Sequence, residues 1–207
     1  TARDVFWISF IPGSAALLIL LLLVQERIGK TTGQYKLLAG MRMVLKGDYA
    51  ILLVIVGIFS LGAFNYYIVI LNAREAGVPE AVRPLVYAAV NVAHTLVAIP
   101  AGILADRIGR EKVLVIGYGI FAATTLILLL SPKLYLFAFL VAVVFGAYGG
   151  IVETVQRALV PRYAQSALRG TGYGLYYLVV GACLLVANSV AGALWGLYGS
   201  PATACLL

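Results

Sequence analysis

Charged residues are scarce in this chain of 207 residues. Asp, Glu, Lys and Arg together make up 11% of it, whereas hydrophobic residues make up 63%. An ordinary soluble domain carries about 25% charged residues, so this composition excludes that class. Eight acidic residues, one histidine and two distant cysteines offer no Ser/His/Asp set, no disulfide framework and no metal-ligand spacing. We therefore expect neither an enzyme nor a bound cofactor or metal.

The chain contains long apolar stretches without charged residues. Six of them contain no Asp, Glu, Lys or Arg: residues 5–24, 49–73, 84–105, 113–132, 134–152 and 170–199. About 20 apolar residues in a helix cross the roughly 30 Å hydrocarbon core of a bilayer. The bilayer offers no water to an unpaired backbone, so such stretches must be helical. The sequence thus predicts an all-α membrane protein with six transmembrane helices, surrounded by the lipid bilayer.

The cations lie mainly in alternate joints between these stretches. Net charge is +7, which in a soluble protein would suggest nucleic acid, but membrane topology explains it better here. Residues 25–48, 106–112 and 157–169 hold eleven of the fifteen lysines and arginines. The positive-inside rule places these three loops in the cytoplasm and the N-terminus outside. We expect a multi-pass protein of the plasma membrane with no nucleic-acid partner, in which aromatics such as Tyr49 form interfacial belts.

Residues 25–48 form the longest joint. Within it, residues 35–46 alternate apolar and basic positions at helical spacing, which predicts an amphipathic helix on the membrane surface. The chain begins without Met or a signal sequence, and its last residues resemble the start of another apolar run. We expect it to be a piece of a longer protein.

A few polar side chains lie within the apolar stretches or, for Glu153 and Arg157, just after the fifth. Polar groups are costly inside a membrane and mark substrate or proton pathways. The candidates are Asn65, Tyr66, Asn91, His94, Glu153, Arg157 and Asn188. The second, third, fifth and sixth stretches hold an amide or ionisable group and should face a polar cavity. The fourth holds none and should face lipid.

Two pairs among these candidates have informative spacing. Glu153 and Arg157 are four apart, the spacing of a helical ion pair. A carboxyl in low dielectric can carry a proton, although a purely structural pair fits the same spacing. Asn91 and His94 are three apart and share a helix face near mid-membrane. They fit a substrate or proton role, or hydrogen bonding between helices.

Glycines also recur four residues apart inside the apolar stretches. The pairs are Gly146 with Gly150, Gly170 with Gly174, and Gly192 with Gly196. Small residues one turn apart let helix backbones approach closely in lipid. We interpret all three pairs as packing faces.

The loop at residues 106–112 and the helix end before it carry a recognisable motif, Gly-Ile-Leu-Ala-Asp-Arg-Ile-Gly-Arg-Glu-Lys over residues 102–112. It resembles the signature of the major facilitator superfamily, which joins the second and third helices of each six-helix half. Glu111 departs from that signature, where a second consecutive basic residue is usual. In the family, the equivalent aspartate is thought to lock one half against the other on the cytoplasmic side.

Residues 161–171 resemble a second element of that family, the loop before the fifth helix of a half. The resemblance implies a cytoplasmic gating motif made of Gly102, Asp106, Arg107, Gly109, Arg110, Lys112, Arg169 and Gly170. It also implies that the chain is the C-terminal half of a twelve-helix transporter, helices six to eleven. Residues 1–24 would be the sixth helix, 25–48 the central loop, and 49–207 the C-terminal bundle without its last helix.

The resemblance implies a secondary active transporter that moves a small-molecule substrate by alternating access. Its partner would be the missing N-terminal half, and it would work as a symporter or antiporter, with proton coupling as one option. The alternative is a transporter-like scaffold or assembly protein that moves nothing. That alternative predicts that Asn91, His94 and Glu153 are buried and hydrogen-bonded without an accessible cavity. A membrane enzyme is not indicated, because the sequence shows no catalytic set. A channel is not indicated either, because the sequence shows no pore loop and no ring of like charges.

Overall fold

The protein was analysed as a computed structural model that describes residues 2–23, 37–130, 134–164 and 168–198. The chain forms two structural units, Thr1–Tyr35 and Lys36–Leu207. In the first unit, the described residues form helix α1, Ala2–Leu23. Its apolar part, Phe10–Leu23, is shorter than a full membrane span. Pro12 lies inside α1, where a missing amide donor favours a kink.

The second unit contains seven helices in its described residues. They are α2 (Leu37–Val44), α3 (Asp48–Gly62), α4 (Tyr66–Glu75), α5 (Arg83–Ile108), α6 (Arg110–Leu130), α7 (Tyr135–Tyr163) and α8 (Arg169–Tyr198). No strand occurs in the ranges that the structure describes. The all-α membrane fold is confirmed.

Within the described residues, five segments are long and apolar enough to cross a bilayer. They are Asp48–Glu75, Arg83–Ile108, Arg110–Leu130, Tyr135–Tyr163 and Arg169–Leu194. The joints between them are shorter than predicted, because the helices continue through their charged ends. Only Gly109 separates α5 from α6, and its φ of 103° belongs to the left-handed region that glycine tolerates.

The second predicted span, residues 49–73, is not one continuous helix. It is divided into α3 and α4, and residues 63–65 between them are not helical. Ala63 and Asn65 have extended backbones, with ψ of 134° and 159°. This division corrects the sequence-based expectation and affects the functional site described below.

The closest packing in the second unit is between α5 and α7. A methyl group built on Gly146 would overlap the Val90 carbonyl oxygen, and one on Gly150 would overlap that of His94. Glycine is therefore required at both positions for the backbones to meet. The packing interpretation is correct for this pair. For Gly170, Gly174, Gly192 and Gly196 it stays a prediction, since a methyl group there would meet nothing within 4 Å among the described residues.

Two apolar clusters stabilise the bundle. One surrounds Val56, Val155 and Leu159, and the other surrounds Val69 and Val141; all five side chains are essentially inaccessible. Burying a side chain of this size contributes about 1.5–3 kcal/mol in water. Within lipid, close packing replaces that driving force.

The sequence suggested that Tyr49 belongs to an interfacial aromatic belt, but the structure places it elsewhere. It is 1% exposed, and its hydroxyl donates a 2.6 Å hydrogen bond to the carbonyl of Gly172. It thus ties the first turn of α3 to the first turn of α8. The short helix α2 lies beside this contact and packs on α8, with Val44 buried.

Candidate functional site

A cavity of about 480 Å³ lies between the break in the second span and helices α5, α7 and α8. Five of the seven candidate pathway residues line this central cavity: Asn65, Tyr66, Asn91, His94 and Glu153. No residue of α6 lines it, which agrees with the expectation that the fourth span lies apart from the polar face. The structure therefore brings together side chains from three predicted spans.

The break supplies one wall of the central cavity. Asn65 is the N-cap residue of α4 and makes no side-chain capping bond. The first amides of a helix have no intrahelical partner, so the break presents polar backbone next to the cavity. Tyr66 follows directly, and its ring packs against that of Tyr87 with centroids 4.9 Å apart.

Helix α5 supplies Asn91 and His94. The Asn91 side-chain amide donates to the Tyr87 carbonyl at 2.9 Å, which leaves its own carbonyl oxygen available. His94 Nε2 is shielded from solvent and has no hydrogen bond among the described residues. Its nearest charged partner is Glu153, with Nε2 3.8 Å from Oε2.

Helix α7 supplies the ionic pair. Arg157 Nη2 donates a 2.7 Å hydrogen bond to Glu153 Oε2, the oxygen that also faces His94. The side chains of Glu153 and Arg157 are 51% and 53% exposed. Arg157 lines a smaller adjoining side cavity of about 180 Å³, which shares Glu153 and Tyr148 with the central cavity. Glu153 thus lies where the two cavities meet.

Asn188 lies apart from this group. It lines a separate cavity of about 850 Å³ between α4 and α8, together with Asn65. Its amide donates to the Leu184 carbonyl at 2.7 Å, the same bond to the preceding turn that Asn91 makes. The structure therefore does not bring Asn188 to His94 and Glu153.

A buried polar chain next to the site was missed in the sequence. Tyr176 donates to Gln156 Oε1 at 2.7 Å, and Gln156 Nε2 donates to the Tyr118 hydroxyl at 3.0 Å. Gln156 is 5% exposed. These hydrogen bonds join α6, α7 and α8. One available signal was that Gln156 falls between Glu153 and Arg157, one helical turn after the apolar run ends.

Within the proposed gating motif, Asp106 and Arg110 are joined to each other at the turn between α5 and α6. Arg110 donates to Asp106 at 3.2 Å and to the Ala158 carbonyl of α7 at 2.7 Å. Gly102 faces Thr154 of α7, and a methyl group there would be 3.8 Å away. Arg107, Lys112, Arg169 and Gly170 are exposed.

Glu111, the residue that departs from the signature, has partners of its own. It accepts a 2.8 Å hydrogen bond from the Tyr163 hydroxyl and pairs with Arg162 at 3.2 Å. An acid at this position thus connects the start of α6 to the end of α7, which a basic residue would not do.

No group of three or more His, Cys, Asp or Glu side chains suited to a metal ion occurs in the described ranges. What the site offers is hydrogen-bonding amides, tyrosines and a single ion pair inside an apolar bundle. A multi-pass helical protein with such a cavity has the architecture of a membrane transporter.

Comparison with known proteins agrees with that class. A sequence model of the Major Facilitator Superfamily matches residues 50–206, so the chain belongs to this family. An uncharacterized MFS-type transporter from Methanocaldococcus jannaschii is 31% identical over 186 residues. The match covers 86% of this chain and 46% of that protein, so the chain spans about half the length of its relative. No solved structure matches the chain.

Proposed function

We propose that the protein is a secondary active transporter that moves a small solute through the central cavity by alternating access. The observation that carries this proposal is the convergence of Asn65, Asn91, His94 and Glu153 on one cavity beside a broken helix. Discontinuous helices at a polar cavity are typical of substrate sites in transporters. The scaffold alternative expects His94 to be hydrogen-bonded, and the absence of a partner for His94 Nε2 among the described residues supports the transporter instead.

The chain would form the C-terminal half of the transporter, helices six to eleven of twelve. The missing N-terminal half would close the open side of the central cavity. Residues 25–48, 106–112 and 157–169 would face the cytoplasm at the plasma membrane. Asp106, Arg107 and their motif neighbours would hold the two halves together on that side.

Glu153 would carry the coupling proton. When ionised, it pairs with Arg157 at 2.7 Å and faces His94 at 3.8 Å. A proton on Glu153 would cancel the ion pair and release the Arg157 guanidinium to bind substrate. The symporter or antiporter would thus link one proton to one binding event at the junction of the two cavities.

The test is flux in proteoliposomes that contain a trapped pH dye. A panel of sugars, amino acids, organic anions and organic cations is added under an imposed pH gradient. A solute that moves the dye signal identifies transport and coupling together. The inert-scaffold alternative predicts that no solute in the panel gives a signal above that of empty liposomes.

Variants then assign the pathway. Glu153→Gln should lower gradient-driven uptake about tenfold or more, because it removes the proton carrier and a charge-assisted bond. Glu80→Gln is the matched control, since Glu80 is exposed in the joint between α4 and α5 and lines none of these cavities. Equal coupled uptake in both variants would remove Glu153 from the mechanism.

A further inference from the structure

We propose that the solute of this site is an organic anion, a single oxyanion head group on an aromatic body, which crosses with one proton as an electrically neutral pair. This inference rests on the proposed transport function and names its substrate class. The observation that carries it is the balance of charge in three cavities: the central cavity, the side cavity and the cavity between α4 and α8. Glu153 lines the first two of them, and Asn65 lines the first and the third.

Charged side chains are few along these cavities. Among the described residues, Glu153 is the only carboxylate in their walls, and Arg157 and Arg74 are the two permanent cations. One carboxylate against two guanidiniums leaves one positive charge, and a proton on Glu153 leaves two. His94 adds a further positive charge whenever it is protonated. Glu75 follows Arg74 in sequence but lines none of the three cavities.

Ion pairs that contact α7 elsewhere do not alter this balance. Arg110 donates to the Ala158 carbonyl of α7, and its charge is paired with that of Asp106 at 3.2 Å. Glu111 and Arg162 form a second pair, also at 3.2 Å. None of these four charged side chains lines the three cavities. The walls that a solute meets are therefore short of negative charge.

Arg157 is the group that would bind the anion. Its only ion-pair partner among the described residues is Glu153, and its side chain is 53% exposed beside the side cavity. An unpaired charge is costly inside a membrane, so the guanidinium needs one anion at all times. It holds the Glu153 carboxylate when this group is ionised. When Glu153 takes up a proton from the entry side, the guanidinium binds the oxyanion of the solute through its forked donors.

The walls of the central cavity suit an aromatic body. Phe64, Tyr66, Tyr87, Phe145 and Tyr148 line this cavity of about 480 Å³. Aromatic rings pair favourably in offset or edge-to-face arrangements. The cavity also falls within the range of roughly 300–1,000 Å³ that is typical of small-molecule sites. The solute can therefore place its ring among these side chains and its head group beside Glu153.

A cationic solute fits the same walls less well. The aromatic faces attract a cation, and Glu153 would be its carboxylate partner. Arg157 would then lose its own partner, and the site would hold two positive charges against one negative charge. An anion bound to Arg157 beside a protonated Glu153 leaves these three groups with no net charge.

The first test is calorimetric binding to the purified full-length transporter, with three probes of similar size and different charge. Benzenesulfonate is an anion, benzenesulfonamide is neutral and benzamidine is a cation near neutral pH. We expect benzenesulfonate to bind about tenfold more tightly than benzenesulfonamide, the ratio for one charge-assisted hydrogen bond. Its binding should also tighten as the pH falls, because the sulfonate stays ionised while Glu153 takes up a proton. Equal binding of all three probes, or tighter binding of benzamidine, would overturn the proposal.

The variant Glu153→Gln distinguishes proton-controlled binding from a structural ion pair. The amide has the shape of the protonated acid and cannot ionise. It should therefore bind benzenesulfonate at high pH as tightly as the wild type does at low pH, although its gradient-driven uptake is lost. A structural pair predicts weaker binding at every pH, because Arg157 would lose its support. His94→Gln should keep the pH dependence, and its loss there would assign the proton to His94 and overturn the proposal.

Variants of Arg157 test the anion-binding group itself. Arg157→Gln should weaken benzenesulfonate binding about tenfold, and Arg157→Lys should restore part of it because the charge returns without the forked donors. Arg42→Gln is the control for loss of a cation, since Arg42 is exposed on α2 and lines none of the three cavities. Wild-type binding by Arg157→Gln would refute the role of Arg157.

Uptake into proteoliposomes separates failure of this inference from failure of the transport proposal. Labelled benzenesulfonate should enter in response to an inward proton gradient and should not respond to an imposed membrane potential. A response to the potential would refute the neutral pair. Coupled uptake of cations or sugars alone would leave a transporter standing and refute the anionic substrate. If no probe and no solute of the panel moves, both proposals fail.

Discussion

The contact between α5 and α7 makes a strong prediction for Gly150→Ala. The added methyl group would overlap the His94 carbonyl oxygen and approach the His94 carbonyl carbon to 3.2 Å and the Ala98 nitrogen to 3.3 Å. All three atoms belong to the backbone of α5, so no side-chain rotation relieves the overlap. The helices must separate, and His94 must move away from Glu153.

The magnitude follows from two opposing effects. Overpacking a close contact costs about 1–3 kcal/mol, and a rigid backbone neighbour places this case at the upper end. Replacing a helical glycine with alanine returns up to about 1 kcal/mol. The net loss is about 2 kcal/mol, which corresponds to a fall in melting temperature of roughly 5 °C for a chain of this size.

The assay is thermal unfolding of the purified protein in detergent, in which size-exclusion chromatography measures the fraction that stays folded after heating to each temperature. Gly119→Ala on α6 is the matched control, because a methyl group there meets nothing within 4 Å. We expect this control to melt at or slightly above the wild-type temperature. If Gly150→Ala melts as high as Gly119→Ala, the helices are not held together by backbone contact at this glycine.

Two further changes test buried hydrogen bonds. Gln156→Leu leaves the buried Tyr176 hydroxyl and the partly buried Tyr118 hydroxyl without their partner and should cost about 2 kcal/mol. The cost should appear as a lower melting temperature, and a wild-type melting curve would contradict the buried hydrogen-bonded chain of side chains. Tyr49→Phe removes the 2.6 Å bond to the Gly172 carbonyl and should cost about 1 kcal/mol. Its readout is hydrogen exchange, which should quicken in the first turns of α8, and unchanged exchange there would show that the contact does not anchor that helix.

Much of the fold could be predicted from the sequence because lipid leaves the backbone few choices. Uncharged runs must become helices, and the spacing of Asn91 with His94 and of Glu153 with Arg157 fixes which side chains share a face. The Glu153–Arg157 ion pair was expected from that spacing and is present at 2.7 Å. Local periodicity thus determines what happens within one helix.

Contacts between helices could not be predicted in the same way. Three glycine pairs had the same spacing, yet only Gly146 and Gly150 meet a backbone within the described residues. The glycine spacing indicates that two helix backbones can approach closely. Whether they do depends on which helix packs against the glycines. For the same reason, the link from Gln156 to tyrosines on two other helices has no signature in the sequence of any one of them.

The break at residues 63–65 shows how a local exception creates the site. Hydropathy treats residues 49–73 as one uninterrupted apolar run, and no proline marks a stop. The available signals were Gly62, which weakens a helix, and Asn65, a residue type that favours N-caps. A continuous helix here would have its backbone amides and carbonyls paired internally. The break ends one helix and starts another beside Asn91 and His94, so the terminal amides and carbonyls there lose their intrahelical partners, and Asn65 makes no side-chain capping bond to replace them. The broken helix and the polar side chains across from it therefore both support the proposal that this cavity binds a solute.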